Sequence, residues 1–276
     1  MKRCSSLLAA ATATLVSALA RAAVEITGND GRMSRPIDAS IDGHRSDWLF
    51  NFTTVAISIL FVIMVGIILW ASVIHRDRPG RKAQYEHGIG RKHLMFTAIV
   101  SSIIFFGIDG TLLAGSFVDL TEAFWKFPTK AENPVEIEVL GQQWAWNIRY
   151  AGPDGKFNTA DDVITLNDMH VPIDRPVYLK IRSKDVIHSF YLPNFRQKID
   201  AFPGSTSQLW FQATMPGLFE IGCAQHCGVS HYKMHGLIRV ESKNDYDAWL
   251  KQASADSQRR YDETDPTAHW GWDWEM

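Results

Sequence analysis

From Leu49 to Ile74 the chain contains no Asp, Glu, Lys, Arg or His. Few folds are open to such a stretch. Wound as an α-helix at about 1.5 Å per residue, it is long enough to cross the roughly 30 Å hydrocarbon core of a bilayer. A helix also satisfies its own backbone groups, as lipid requires. Trp48 and Trp70 stand toward its two ends. A second apolar segment runs from about Leu94 to Val118 and carries one acid, Asp109. Residues 48–118 therefore read as a transmembrane hairpin. Its connecting loop holds Arg76, Arg78, Arg81, Lys82, Arg91 and Lys92. Positive residues mark the cytoplasmic side, so both outer ends of the hairpin are expected to face away from it. In a bacterium this places the rest of the mature chain on the periplasmic or outer face of the inner membrane. Two readings of Asp109 stay open: it faces protein or water in the outer half of the span, or the helix ends beside it.

Lys2 and Arg3, the apolar Leu7–Ala20 stretch and small residues at Ala20 and Ala22 read as a signal peptide over residues 1–22, with an uncleaved signal anchor as the other reading. Residues 23–47 would form an outer N-terminal segment. Cys4 falls inside the leader, which leaves Cys223 and Cys227 as the cysteines of the mature chain. With 46 % hydrophobic residues and a net charge of −2, the composition offers nothing to a nucleic acid.

Residues 119–133 form a polar connector. From Pro134 the pattern changes to short apolar or alternating runs: Val135–Leu140, Val163–Leu166, Val177–Ile181, Leu209–Phe211, Phe219–Ile221 and Leu237–Val240. Gly, Pro, Asp and Ser bound them. Short strands without intervening helices predict a sandwich or barrel over residues 134–241. Ser242-Lys-Asn-Asp245 predicts a helix start, with Tyr246, Trp249, Leu250 and Ala253 on one face. Trp270, Trp272 and Trp274 crowd a tail without period.

The chemistry concentrates in Cys-Ala-Gln-His-Cys-Gly-Val-Ser-His-Tyr-Lys-Met at 223–234. Cys223, Cys227, His231 and Met234 offer two thiolates, an imidazole and a thioether, the soft set that selects copper. His188, in Asp-Val-Ile-His-Ser-Phe, offers a second imidazole. A bare Cys-x-x-x-Cys in an exported protein more often forms a disulfide. The His and Met at these spacings turn the balance to copper, and structural zinc sites seldom recruit Met. No Cys-x-x-Cys-His for haem attachment occurs.

These residues resemble the dinuclear copper site (CuA) of subunit II of haem-copper cytochrome c oxidases. The resemblance extends to the membrane hairpin, Gly-Gln-Gln-Trp-Ala-Trp-Asn at 141–147 and Lys-Ile-Asp-Ala-Phe-Pro-Gly at 198–204. It implies a two-helix transmembrane hairpin bearing an all-β, cupredoxin-like Greek-key barrel. It implies two copper ions bridged by Cys223 and Cys227, one imidazole each from His188 and His231, and weak axial ligands from Met234 and the Gln225 backbone carbonyl. Trp144 matches the residue where electrons from cytochrome c enter, while Trp146 reads as core. The implied function is that of subunit II of a respiratory terminal oxidase. It would take electrons from cytochrome c or a similar donor and pass them to haem in subunit I, in membrane lipid and with subunit III alongside. This chain alone should show no oxidase turnover.

Three departures matter. Gln225 replaces the family's usual Glu, which puts the magnesium ion at the border with subunit I in doubt, since a neutral amide is a poorer ligand for a hard cation. Arg149 stands where the family tends to be acidic, so Asp154, Asp161, Asp162 and Asp185 are left to supply a donor-docking charge. The family's Glu-x-x-Trp-Thr is missing at the second helix, where Glu86 is the nearest acid. The acidic loop 154–162 lacks EF-hand spacing and reads as a solvated turn. Among rivals, a nitrous-oxide reductase needs a propeller domain that this chain cannot hold. A quinol oxidase subunit II lacks the copper ligands. A membrane-tethered copper chaperone or thiol-disulfide protein would use a thioredoxin-like fold and one span.

Overall fold

The computed structural model describes residues 35–82 and 85–262. The leader with Cys4, and Trp270, Trp272 and Trp274 of the tail, lie outside the described residues. The chain divides into a helical unit, Asp42–Phe127, and a second unit formed by the residues before and after it.

In the helical unit, α1 spans Gly43–Ile74 and α2 spans Arg91–Phe124. Both are long and apolar enough to cross a membrane. Hydroxyls within them turn back on their own helix. Thr53 and Thr54 donate to the carbonyls of Leu49 and Phe50 at 2.8 Å, and Thr111 to that of Gly107 at 2.7 Å. These donors then need nothing from lipid. The second helix does not end at Asp109. It passes through a π-helical turn at Phe105–Asp109, continues as α-helix through Gly110–Asp119, and closes in a second π turn at Leu120–Phe124. At Gly115 a Cβ would stand 2.8 Å from Leu49 Cδ2, so glycine is what lets α1 and α2 touch there.

The second unit contains two five-stranded sheets. The first has the order β3-β2-β1-β5-β8: Val163–Leu166, Ala145–Tyr150, Val135–Gln142, Pro176–Ser183 and Ser207–Gln212. The second has the order β4-β10-β9-β6-β7: Asp168–Pro172, His235–Glu241, Gly217–Cys223, His188–Leu192 and Gln197–Ala201. Most pairs are antiparallel, but β1 runs parallel to β5 and β4 to β10. One core fills the space between the sheets. Ile137, Val139, Trp146 and Ile148 enter it from the first sheet, and Met169, Phe190, Phe219 and Ile238 from the second. This is the cupredoxin-like β fold. All six apolar runs picked out in the sequence lie on strands.

Residues ahead of α1 add to this unit. The Ala39 N–H donates to the Asn194 carbonyl and the Thr214 N–H to the Ala39 carbonyl, each at 2.9 Å. Ala39 is thereby fully buried. At the other end, α3 (Lys243–Gln258) begins at Ser242, whose Oγ accepts from the Asp245 N–H at 3.2 Å. This side-chain cap satisfies one otherwise free amide. Tyr246 is buried, and Trp249, Leu250 and Ala253 pack on the core. Trp249 stacks on His170 with centroids 4.0 Å apart.

Arg149 corrects the sequence reading. It is fully buried on β2 rather than set in a docking face. Its Nε donates to Glu138 at 2.9 Å and its Nη1 to Asn158 at 2.9 Å, with Asp162 at 3.7 Å. The Phe157 ring lies 5.3 Å from the guanidinium. Asp161 and Asp162 are buried as well, so they cannot dock a partner. The acidic loop is an exposed turn at Asp154–Lys156, but its end folds over Arg149: Asp162 accepts from the Asn158 N–H at 2.9 Å, and Asp161 from Thr159 Oγ1 at 2.7 Å. A guanidinium so deep must be paired, and the two carboxylates that pair it must follow it inward.

Removing one partner of such a cluster leaves uncompensated buried charge, so Arg149→Ala should cost roughly 3–5 kcal/mol, read from the denaturant midpoint of the β unit. Burial holds the Asp162 carboxyl up at about 6, against the help of the Asn158 amide and Arg149. The folded state therefore binds more protons than the unfolded chain between about pH 4 and 6, and Asp162's contribution to stability falls as pH rises through that window. Asp162→Asn should flatten that part of the pH–stability curve. An unchanged curve would show that Asp162 ionises as freely in the fold as outside it.

Candidate metal centre

The site forms where β6, β9 and β10 meet. His188 is the first residue of β6, Cys223 the last of β9, and the β9–β10 connection carries the remaining ligands. Phe190 pairs with Cys223, and Gly222 with His235. The Cys223 N–H donates to the Met234 carbonyl at 3.2 Å, closing the connection into a loop.

Within it the soft atoms converge. Cys223 Sγ lies 3.8 Å from Cys227 Sγ. Cys227 Sγ lies 3.6 Å from His231 Nδ1 and 3.7 Å from Met234 Sδ. The Gln225 carbonyl oxygen approaches Cys223 Sγ at 3.2 Å, while the Gln225 side chain is exposed. Ligand atoms of His188, Cys223 and Cys227 lie within 4.8 Å of one another. Cys227, Met234 and His188 are buried, and neither cysteine is in a disulfide.

The His188 ring is held through one nitrogen. Its Nε2 meets Asp185 Oδ1 at 2.8 Å, while Nδ1 is buried without a hydrogen-bond partner. A buried imidazole nitrogen left open beside two sulfurs, with its other nitrogen held by a carboxylate, has the form of a metal ligand with its supporting group. The donor set thus fits a soft metal ion. Burial raises both thiols. For Cys223 the neighbouring His188 imidazole, together with the Ser189 and Gln225 backbone and His231, outweighs this and brings it down to about 6, whereas Cys227, buried beside Cys223, is pushed up to about 11.

The segment 141–147 supports the site from the other sheet. The Gln143 amide donates to Asp185 Oδ2 at 2.7 Å, and its side-chain Nε2 donates to the Cys227 carbonyl at 2.8 Å. Trp144 is half-buried against the loop. At Gly228, with φ +124°, a Cβ would lie 3.2 Å from the Trp144 ring. Trp146 is fully buried and packs edge-on against His188 and Phe190. Gly141 lies beneath the His188 ring, where a Cβ would stand 3.1 Å from His188 Cδ2 and 2.9 Å from Trp146 Cζ3.

All six expected ligand groups and Trp144 are therefore gathered in one place. Of the four acids expected at a docking face, Asp154 is exposed, Asp185 is engaged with His188 and Gln143, and Asp161 and Asp162 belong to the buried cluster. The sequence reading missed Gln143, Gly141 and Gly228 as supports of the centre. Their signal was the glycine-rich, amide-bearing Gly-Gln-Gln motif, but nothing local in it says which loop it will meet.

A cupredoxin-like domain attached to two apolar helices and carrying a soft-ligand centre on its β9–β10 loop defines a narrow class of protein. A family model for the periplasmic domain of cytochrome c oxidase subunit II matches residues 135–242. The alternative cytochrome c oxidase subunit 2 of Bradyrhizobium diazoefficiens is 33 % identical over 216 residues, covering 70 % of this chain and 75 % of that one. Cytochrome c oxidase subunit 2 of Alkalihalophilus pseudofirmus is 29 % identical over 220 residues, covering 78 % and 61 %. Among solved structures, the periplasmic domain of subunit II of cytochrome oxidase of Bradyrhizobium japonicum is 30 % identical, covers 44 % of this chain and 94 % of that one, and has a TM-score of 0.40. The chain belongs to the cytochrome c oxidase subunit II family, and it is a membrane-anchored member.

Gly141→Ala should push the His188 ring from its place, because neither the Trp146 ring nor the strand backbone can yield. The expected result is a folded domain with reduced copper uptake, measured by metal analysis against circular dichroism. Full copper loading with an unchanged visible spectrum would mean that the ring has room to move.

Proposed function

We propose that this chain is the electron-accepting subunit of a respiratory terminal oxidase, receiving electrons one at a time from a cytochrome c or similar donor and delivering them to haem in subunit I. The observation that carries this reading is the convergence of two thiols, two imidazole nitrogens, a thioether and a backbone carbonyl where the β9–β10 loop meets the start of β6. Two copper ions bound there would supply a one-electron couple shared over both metals. Cys223 and Cys227 would hold both through their thiolate sulfurs, which have lone pairs for two metals, His188 and His231 would each hold one through an imidazole nitrogen, and Met234 and the Gln225 carbonyl would hold them more weakly.

The remaining residues keep this geometry fixed. Asp185 holds the His188 tautomer, Gln143 ties the Cys227 carbonyl to the opposite sheet, and Cys227, Met234 and His188 are buried. A centre whose ligands barely move between oxidation states has little to reorganise, which suits electron transfer rather than substrate turnover. Oxygen reduction would occur in the partner subunit. Trp144, half-buried against Gly228, lies between solvent and the cysteine loop and is the proposed point where electrons enter. The exposed amide of Gln225 makes a magnesium site at the subunit border dependent on other groups. The basic loop between α1 and α2 supports an orientation with the copper domain on the periplasmic side of the inner membrane.

Replacing either cysteine with serine removes a bridge that an alcohol cannot make. Cys227→Ser should abolish the mixed-valence EPR signal, while Met234→Leu should keep copper and shift its potential, since the axial bond is weak. An identical mixed-valence spectrum in Cys227→Ser would refute the bridging role. Trp144→Ala should slow electron transfer from cytochrome c by orders of magnitude with the copper spectrum intact, as read by stopped flow. An unchanged rate would return Trp144 to a packing role.

A further inference from the structure

A groove of about 880 Å³ lies between α1 and α2 in the half of the hairpin remote from the basic loop. Trp48 and Leu49 of α1 form one wall, and Phe106, Gly110, Ala114 and Gly115 of α2 form the other. The small residues of α2 set that wall back. From Phe106 to Asp119 the trough runs roughly 20 Å at the helical rise per residue, close to the roughly 15 Å of one leaflet's hydrocarbon. A transmembrane helix of a partner would need a groove along the full span, and this one stops near its middle.

The rim is polar, and its charges are incompletely satisfied. Arg45 Nη1 and Asp119 Oδ1 are 3.9 Å apart. Arg45 Nε, although 3.3 Å from Asp42 Oδ1, makes no hydrogen bond of adequate geometry, and Asp119 Oδ2 also has no partner. Both atoms are buried. Buried charged atoms without partners are costly, so a ligand offering an acceptor to Arg45 and a donor to Asp119 would be held there. The phosphate and ammonium of a phosphoethanolamine headgroup are such a pair, a few bonds apart, with an acyl chain below. An anionic glycerol headgroup offers only hydroxyls to Asp119, so its phosphate on Arg45 meets Asp42 and Asp119 without an ammonium of its own to offset them.

We propose that this groove binds one zwitterionic phospholipid of the phosphatidylethanolamine class, its phosphate on Arg45, its ammonium on Asp119 and one acyl chain in the trough. The proposal rests on the reading that the hairpin lies in a bilayer. It makes the lipid part of the hairpin's packing, filling a gap that side chains leave open.

The test uses the intact oxidase complex containing this chain, reconstituted into nanodiscs with a phosphatidylethanolamine bearing a photoreactive diazirine in its acyl chain. Adducts are mapped by mass spectrometry after irradiation. Labelling is expected at Trp48–Leu49 and along Phe106–Gly115. It should fall by roughly tenfold in Arg45→Gln, the size of effect for one lost charge-assisted hydrogen bond, and should largely vanish when Gly110→Leu and Ala114→Phe together fill the trough. Arg45→Lys, which keeps the charge, should restore most of it. The diazirine phosphatidylglycerol should label these positions several-fold less. Equal labelling by both lipids would overturn the headgroup assignment. Labelling on the outer faces of α1 and α2 but not in the groove would overturn the site and indicate that protein fills it. No labelling of either helix by either lipid would instead mean that the bilayer reading itself fails.

Discussion

Strand β9 lies between β6 and β10, and the candidate metal centre depends on the register that holds it there. Phe190 opposite Cys223 and Gly222 opposite His235 place the end of β9 beside the start of β6. A slip of one residue would turn Cys223 to the other face of the sheet and separate it from His188. The register is secured away from the metal by what β9 and its neighbours bury, including Phe219, Ile221, Phe190 and Ile238, all fully enclosed. The ligands themselves contribute little to this. Sulfurs and a buried imidazole gathered without a metal are a burden on the fold, and the core on both sides holds them in place.

The sequence showed those parts of the architecture whose signal is local. Val135–Leu140 alternates apolar residues with charges and Leu237–Val240 is a brief apolar run broken by Arg239, and both lie on strands. Strand β2 alternates Trp146, Ile148 and Tyr150 with Asn147 and Arg149, a strand pattern the sequence reading passed over, and Arg149 is buried by charge pairing rather than by hydrophobicity. Strands β6 and β7 were obscured by His188 and Ser189 and by Gln197, Lys198 and Asp200. The cysteine loop was legible because its groups come from one short stretch. Asp185 was read as a surface acid because its hydrogen bond to Gln143, from a distant part of the chain, leaves no trace in local composition. Asp162 was misread for a related reason, since its partner Arg149 precedes it on β2, and Asp161 is held within the loop by Thr159.

The two units meet solvent by different rules. In the β unit large apolar side chains are mostly enclosed. In the helical unit Phe61, Trp70, Phe106 and Leu113 are open on the helix faces. Such faces are stable only against lipid or a partner protein, as expected for a membrane-anchored subunit. Asp109 stands exposed on α2 at the end of a π turn. π turns in long helices re-aim side chains and concentrate at functional positions. A carboxylate at that depth demands a protein or water neighbour. The helix's continuation to Phe124 removes the other reading, in which the span simply ended there.

Strand β1 joins two demands that usually conflict. Its inner face packs Ile137 and Val139 into the core and brings Gly141 beneath His188. Its outer face carries Glu138, which is also buried, because the loop ending at Asp162 covers it. A strand enclosed on both faces is stiff. Only three residues, or about 10 Å at the rise of an extended chain, separate Glu138 from Gly141. The charged cluster around Arg149 is therefore part of the support of the metal centre, although none of its groups approaches a sulfur. It clamps the loop onto the sheet and so fixes the strand on which the His188 ring rests. A buried ion cluster is a weak source of net stability, and its use here is positional: with Glu138 and Asp162 both committed to one guanidinium, the loop has a single place to lie.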